Sequence, residues 1–191
     1  MAHAQNLEIT PEILLLISEI DEFKGAWRAL GNLAPDKLLH LQKVATIESI
    51  GSSTRIEGSR LTDRQVEMLL SGLQVQKFET RDEQEVAGYA ELMHTIFSHF
   101  NDIPLSEGFI QQLHQTLMKY SDKDHWHKGR YKQLPNHVVA TDANGQELGV
   151  IFETTSPFDT PLEMQQLVSW TQAAFAEGRL HPLLIVAIFV V

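Results

Sequence analysis

The chain has 191 residues, of which 43% are hydrophobic and 8% aromatic. This is enough apolar material for a folded domain with a core, and it excludes an intrinsically disordered protein. The chain contains no cysteine, which excludes disulfides and thiolate metal sites, and its formal net charge of -10 opposes binding to the phosphate backbone of a nucleic acid.

The N-terminus does not have the charged-then-apolar pattern of a signal peptide. No apolar run reaches the ~20 residues that a helix needs to span a bilayer. We therefore expect a cytoplasmic protein without a membrane or nucleic-acid partner.

Two helices are predicted at the start of the chain. Thr10-Pro11 supplies a cap and a first-turn proline. Apolar residues then follow the helical period to about Leu30, at positions 13, 16, 17, 20, 23 and 27, and Gly31-Asn32 ends the helix. Pro35 begins a second helix, which should run to about Ile50. We expect these two helices to pack as an antiparallel pair.

A short charged helix is predicted between Ser52 and Ser59. Ser53 and Glu57 are four residues apart, which on a helix places the hydroxyl and the carboxylate one turn apart on the same face. Ser52 or Ser53 is free to cap the first amides. Capped helices are common, so the simplest interpretation is a connector whose Glu57 is solvated. The alternative is a helix that holds this carboxylate at a fixed position for a function.

Helical patterns continue along the rest of the chain, with starts near Leu61, Thr80, Leu105, Leu162 and His181-Pro182. The helix after Thr80 should run to about Phe100, and the one after Leu105 should end near Tyr120. The former carries an apolar stripe at helical spacing, which we interpret as core: Val86, Tyr89, Ala90, Met93, Ile96 and Phe97.

The histidines do not predict a metal site. His94 and His99 are five residues apart, which is poor spacing for two ligands of one metal. His125 and His127 flank Trp126, but no third ligand stands at a characteristic spacing and lysines lie on both sides. We therefore expect packed or surface histidines and no metal.

Residues 136–153 form the only convincing β region. Segments 137–141 and 147–152 flank Asp142-Ala143-Asn144-Gly145, and Asn-Gly is a strong hairpin signal. The hairpin could simply decorate a helical domain, or its open edge could accept an extended peptide through main-chain hydrogen bonds. In the second interpretation, which leaves open the strand that faces the target, the docking residues are His137, Val138, Val139, Ala140, Leu148, Gly149, Val150 and Ile151.

Three motifs, in order along the chain, resemble the Fic-domain family. Ser53-x-x-x-Glu57-Gly58 is similar to the inhibitory helix motif (Ser/Thr)-x-x-x-Glu-(Gly/Asn), in the form where this helix lies N-terminal to the Fic core. Gly129-Arg130-Tyr131-Lys132 leads into the hairpin, whose position resembles the family's flap. His181-Pro182-Leu183-Leu184 then opens an apolar run. Together the motifs cover most of the chain.

The resemblance implies a mainly α fold, a bundle of about seven or eight helices with one β-hairpin. It implies an N-terminal helical region over residues 1–104, with the inhibitory helix near 53–58, and an incomplete Fic core over residues 105–191, with the flap near 136–153.

The implied activity is autoinhibited protein adenylylation, the transfer of AMP from ATP, with Mg²⁺, to a hydroxyl group of a target protein. Ser53, Glu57 and Gly58 would be regulatory. Glu57 would pair with an arginine of the catalytic loop region and so crowd the γ-phosphate site, and Ser53 would brace this arrangement. The target protein would dock through the flap. Association between copies of the chain is left open.

The family's catalytic loop, His-x-Phe-x-(Asp/Glu)-Gly-Asn-Gly-(Lys/Arg), does not occur in the 191 residues. No residue is therefore assigned as catalytic, and the apolar end at Val191 is interpreted as a helix cut in mid-course. We expect the chain to be inactive alone and not to hold ATP and Mg²⁺ by itself. The alternative is a non-catalytic regulatory or binding fragment of a Fic protein.

Overall fold

The computed structural model describes residues 8–33, 35–71, 78, 80–122 and 126–190. Over these residues the chain is mainly helical with one antiparallel hairpin, which confirms the predicted fold class. The elements are α1 (Pro11–Leu33), α2 (Pro35–Ile56), α3 (Asp63–Ser71), α4 (Arg81–His99), α5 (Glu107–Leu117), β1 (Val138–Thr141), β2 (Glu147–Phe152), α6 (Thr160–Glu177) and α7 (Pro182–Val190). None of the helices in the described ranges is long and apolar enough to cross a membrane.

The helix ends follow the capping residues that the sequence provides. Thr80 is the N-cap of α4, and it forms a capping box in which its hydroxyl accepts from the Glu83 amide while the Glu83 carboxylate accepts from the Thr80 amide. At the end of α6, Gly178 adopts the left-handed conformation with φ 64°, which ends the helix.

The second helix was predicted to end too early. It continues through Ile50 without a break to Ile56, so no separate short helix begins near Ser53 and neither Ser52 nor Ser53 is an N-cap. The sequence signal was misleading because Gly51 is tolerated inside this helix. Gly51 is buried, and a Cβ at this position would lie 2.6 Å from a carboxylate oxygen of Asp63.

The described residues divide into two compact units. The helical unit contains α1 to α4 together with residues 116–122. The hairpin unit contains residues 104–115 and 126–190, that is, most of α5, the hairpin, α6 and α7.

The core of the helical unit lies between α2, α3 and α4. Its buried residues are Ile47, Ile50, Val66, Val86 and Ala90, with Leu61, Leu69, Leu70, Tyr89 and Met93 packed against them. The apolar stripe of α4 is thus core over its first three turns. The prediction that the stripe is core was wrong for Phe97, which is 48% exposed in a groove that α2 and α3 also line.

Residues 116–122 pack closely against α4 in the helical unit. A Cβ built on Gly88 would lie 2.0 Å from the carbonyl oxygen of Leu117, so only glycine allows the two backbones to approach this closely. Three residues after Gly88, the Glu91 carboxylate accepts hydrogen bonds from Lys119 Nζ at 2.7 Å and Tyr120 Oη at 2.7 Å. Helix α5 therefore ends at Leu117 and not near Tyr120 as predicted, because the following residues turn toward α4.

These contacts change the ionisation of Glu91. Burial raises the pKa of the Glu91 carboxyl, but the hydrogen bonds from Lys119 and Tyr120 outweigh burial and hold this pKa below its ordinary value.

The turn of the hairpin is organised by Asp142 and Gly145. The Gly145 amide donates to the Asp142 carbonyl at 3.0 Å, and the Asp142 carboxylate accepts from the amides of Asn144 and Gln146 at 2.8 Å each. Gly145 has φ 81°. This is a type I turn followed by a left-handed glycine, so the glycine of Asn-Gly ends the turn. The amides of Gln146 and Asn144 hold the pKa of the Asp142 carboxyl below its ordinary value.

We expect substitution of two helical glycines to have opposite effects. Gly88→Ala should lower the free energy of unfolding by at least about 2 kcal/mol, because its methyl group meets backbone that cannot move aside. Gly25→Ala, inside α1 with nothing within 4 Å of the added methyl, should raise it by about 0.5–1 kcal/mol. Urea denaturation measures both, and equal effects would contradict the Gly88 contact.

Candidate functional site

The Ser53 to Ser59 segment contains the last turn of α2 and its C-terminal cap. The Ser59 amide donates to the Thr54 carbonyl at 3.0 Å, and the Gly58 amide donates to the Arg55 carbonyl at 3.0 Å. Gly58 has φ 101°. This pair of bonds around a left-handed residue is the Schellman motif, with Gly58 as the first residue beyond the helix cap. Glu57, which directly follows the last helical residue Ile56, is consequently the C-terminal cap residue of α2.

This geometry gives a physical reason for the last position of the motif. The sequence pattern allows Gly or Asn after the glutamate, and these are the two residues that most readily adopt a left-handed conformation at a helix end. Gly58 therefore acts through the backbone, by ending the helix directly after Glu57.

Contacts to α3 and α4 hold this helix end in place. Tyr89 Oη donates to Ser53 Oγ at 3.1 Å. Arg55 forms an ion pair with Asp63 at 2.8 Å. Beyond the cap, the Arg60 amide donates to a carboxylate oxygen of Asp82 at 2.7 Å. The end of α2 is thus anchored within the helical unit on both sides of Glu57.

Glu57 itself is exposed. Its predicted neighbour Ser53 is half-buried and bonds to Tyr89, so the hydroxyl and carboxylate four residues apart do not bond to each other in this structure. Within the described ranges no arginine or lysine forms an ion pair with the Glu57 carboxylate. The arrangement therefore presents one carboxylate to solvent from a rigid helix end.

The hairpin presents unpaired main chain and apolar side chains. Its two strands pair only with each other in the described part of the chain, and all six residues of β2 are exposed. Val139 and Ala140 of β1 are half-buried. Among the large apolar residues predicted to dock a target, Leu148 and Ile151 are the most exposed, each at 69%.

His137 does not belong to a strand, since β1 begins at Val138. Its Nδ1 atom accepts a hydrogen bond from the Thr154 amide at 3.2 Å, across the base of the hairpin. Lys132 Nζ donates to both Asn136 Oδ1 at 2.6 Å and Thr154 Oγ1 at 2.7 Å. These side chains fasten the two ends of the hairpin together where it leaves the rest of the unit.

Residues 129–131 join the base of the hairpin to α5. The Gly129 amide donates to His114 Nδ1 at 3.0 Å, and Gly129 has φ 64°. Tyr131 Oη donates to a Glu107 oxygen at 2.7 Å. Burial, together with this hydrogen bond, raises the pKa of Tyr131 to about 12, so the phenol keeps its proton. The Gly-Arg-Tyr-Lys motif thus positions the hairpin within its unit.

The rings of His114 and His127 stack at 6.3 Å between centroids, and Trp126 meets His127 edge-on at 4.5 Å. His125 lies outside the described residues. Over the residues that are described, no three His, Asp or Glu side chains come together as a metal site. The 191 residues also contain no Gly-Asn-Gly segment.

Helix α7 begins at its sequence signal, whereas α6 begins at Thr160, two residues before the predicted start. His181 Nδ1 accepts from the Leu183 amide at 3.3 Å and its carbonyl accepts from the Leu184 amide, so the His-Pro pair begins α7.

Sequence reasoning missed Tyr89 and Lys132 as positioning residues. Tyr89 was placed in an apolar stripe, and a phenol at such a position often directs its hydroxyl to a polar partner, which was the available signal. Lys132 stood inside a recognised motif. No spacing rule links it to Thr154, because the two are 22 residues apart.

The sequence matches no family model and no curated protein. Two solved structures are similar. One is a Fic domain containing signaling protein from Bacteroides thetaiotaomicron, with a TM-score of 0.71 and 28% identity over 89% of this chain and 62% of that one. The other is a Fic family protein from Desulfovibrio desulfuricans, with a TM-score of 0.70 and 25% identity over 96% of this chain and 50% of that one. The chain thus spans less than two thirds of either protein.

Gly58→Ala should destabilise the helical unit by about 1–2 kcal/mol, the cost of a left-handed conformation for a residue with a Cβ. Gly58→Asn should cost less, because asparagine tolerates this conformation. The free energy of unfolding in urea measures both. Equal losses for the two variants would show that the Schellman geometry is not what the position requires.

His114 predicts a pH dependence of stability. Burial and the neighbouring His127 lower the pKa of His114 below its ordinary value of 6.5, and the Gly129 amide needs an unprotonated Nδ1. The unfolded chain therefore binds a proton before the folded chain does, so stability should be complete above about pH 6.5 and decline as the pH falls below it.

The matched variant for this prediction is His114→Gln, whose amide oxygen can accept from Gly129 without titrating. Between pH 7.5 and 5, a range around the ordinary histidine pKa, the melting temperature should fall less for the variant than for the unsubstituted chain. Identical pH profiles would contradict the assignment to His114.

Proposed function

Because the chain has the fold of the Fic family, we propose that it supplies the inhibitory helix end and the target-docking hairpin of an autoinhibited protein adenylyltransferase. The reaction would transfer AMP from ATP to a hydroxyl group of a target protein. Its chemistry would come from a catalytic loop, which these 191 residues do not contain.

The observation that carries this proposal is the position of Glu57. The Schellman cap ends α2 directly after this residue, and the Tyr89–Ser53 and Arg55–Asp63 contacts hold the last turn. A carboxylate on a braced helix end keeps its position and direction when another group approaches. This is the property required of an inhibitory residue.

Charge explains how such a carboxylate would inhibit. A carboxylate next to a triphosphate repels it, and a carboxylate that pairs with a phosphate-binding arginine removes that arginine from the nucleotide. Glu57 is exposed and has no cationic partner within the described ranges, so its carboxylate is available to an arginine of the catalytic loop region.

The hairpin would position the target. An extended segment can add to an unpaired strand edge through main-chain hydrogen bonds, with little demand on its side chains. Exposed Leu148 and Ile151 would add apolar contact beside that edge. The bonds of Lys132 to both ends of the hairpin would keep the edge, and with it the hydroxyl to be modified, at a fixed position.

ATP and Mg²⁺ would supply the transferred AMP and the neutralisation of phosphate charge. The family's phosphate-binding Gly-Asn-Gly segment does not occur in the 191 residues, so in this proposal both groups would bind at the catalytic loop. The contribution of this chain would be to restrain the nucleotide through Glu57 and to hold the target through β1 or β2.

A second candidate is a non-catalytic regulatory or binding module of Fic origin. The exposed Glu57 carboxylate, which forms no ion pair within the described ranges, favours it, because a Fic core on another chain could reach this carboxylate equally well. Such a module would supply its Glu57 helix end to a Fic core on another chain.

In a form of the protein with an intact catalytic loop, Glu57→Gly should raise self-modification with labelled ATP and Mg²⁺ by about tenfold or more. A charge-assisted hydrogen bond is worth about 1.5–3 kcal/mol, and its loss would free the arginine for productive binding. Glu57→Gln keeps the size of the side chain and removes its charge, so this variant should also increase self-modification.

Glu48→Gln is the matched control, because Glu48 is an exposed glutamate of α2 that lies about two and a half turns before Glu57. It should leave the labelling unchanged. No rise for either Glu57 variant, with an intact loop, would reject the inhibitory role. If no form that contains this chain transfers AMP, the enzyme proposal fails and the non-catalytic module stands.

A further inference from the structure

Helix α1 carries an apolar stripe that the rest of the described chain leaves open to solvent. Its members are spaced alternately by three and four residues, which is the pattern of a coiled-coil seam. We call these residues the α1 seam: Ile13, Leu16, Ile20, Phe23 and Trp27. Ile13 is half-buried, and the other four are 40% to 62% exposed. A monomer rarely leaves this many large apolar side chains in one uncovered row.

The residue types of the seam favour a parallel coiled coil of two helices. In heptad terms Ile13 and Ile20 occupy a positions and Leu16 the d position between them, and β-branched residues at a with leucine at d favour a parallel pair of helices. Phe23 and Trp27 continue the seam with rings that lie 5.8 Å apart. They add apolar area at its C-terminal end.

The flanking charges agree with the same arrangement. Glu19 precedes the a position of Ile20, and Lys24 follows the d position of Phe23. In a parallel, in-register coiled coil, a residue at the position of Glu19 faces the residue five positions further along the other helix. Glu19 of each copy therefore meets Lys24 of the other copy. Two opposite-charge pairs result from one symmetric contact.

The seam continues into an apolar cleft against α2. Trp27 lines this cleft of about 1040 Å³ together with Leu41 and Val44 of α2, which are 51% and 39% exposed. A second copy seated on the seam would also reach these α2 residues. Two helix pairs would then form a four-helix arrangement, a common solution for two paired helices with exposed apolar faces.

We propose that the α1 seam is an interface between two copies of this chain, with the two α1 helices parallel and in register. The interface is isologous, so each residue of the seam meets its own counterpart. It is short, with two heptads inside α1, so the dimer dissociates on dilution.

Sedimentation velocity of the 191-residue chain over a dilution series tests this proposal. The chain should be a dimer at high concentration, and Ile20→Asp should raise the dimer dissociation constant by at least about tenfold, because it places two carboxylates face to face in the seam. Ser18→Asp, on the opposite and exposed face of α1, is the matched control and should leave the constant unchanged. A monomer at every concentration, or equal effects of the two variants, would overturn the proposal.

Helix α7 also exposes apolar side chains, including Val186 at 49%, and could cause association by itself. Val186→Asp should therefore leave the dimer intact. Loss of the dimer with this variant, but not with Ile20→Asp, would overturn the assignment to α1.

The chain lacks cysteine, so single-cysteine variants report the arrangement without background. Leu16→Cys should form a disulfide between copies under mild oxidation, since equal d positions meet in a parallel pair, whereas Ser18→Cys should not. Glu19→Lys and Lys24→Glu should each weaken the dimer, and the double swap should restore it. A dimer with no Leu16→Cys cross-link would overturn the parallel register.

Discussion

The constraint on which the candidate site depends is the left-handed backbone of Gly58. It stops α2 and satisfies two of the last carbonyls, of Thr54 and Arg55, with amides from beyond the helix. Because the stop is made by main chain, the carboxylate before it need not take part in holding the helix. Glu57 is therefore left for a partner, while Ser53, Arg55 and the Arg60 amide make the supporting contacts.

In the hairpin unit, too, the residues that hold the structure in place differ from those that are exposed to a partner. The residues that hold the hairpin lie at its base: Lys132 and His137 bond across its two ends, and Gly129 and Tyr131 bond to α5. All side chains of β2 are exposed, and in the described part of the chain the outer main-chain edges of both strands are unpaired. In each unit, one exposed feature, either Glu57 or the hairpin strands, is held in place by hydrogen bonds of neighbouring residues.

The sequence predicted elements well where local chemistry decides the outcome. The capping box at Thr80, the left-handed glycine after α6 and the Asp142 turn each depend on residues within four or five positions, and all three appear in the structure. The fold class followed from these elements together with the Fic resemblance. The error at the end of α2 arose because Gly51 and two serines look like a helix boundary, whereas tertiary packing around Ile50 and Thr54 keeps the helix intact.

The supporting contacts of the site could not be predicted, because they join residues far apart in sequence. Tyr89 bonds to Ser53 across 36 positions, and Gly88 is required only because Leu117 lies above it. Similarly, the exposure of the α1 seam depends on how the helices pack in the tertiary structure. The same apolar pattern is expected for a helix buried in a core, and the sequence alone does not distinguish the two.

The pairing of β1 with β2 is irregular at two places, between Val138 and Val139 and between Ala140 and Thr141. Only the step from Val139 to Ala140 is regular, and bulges of this kind twist a strand edge away from a straight partner. An extended segment that added to this edge would therefore pair with only a few aligned main-chain groups. Such a short, irregular edge limits uncontrolled strand addition by other chains.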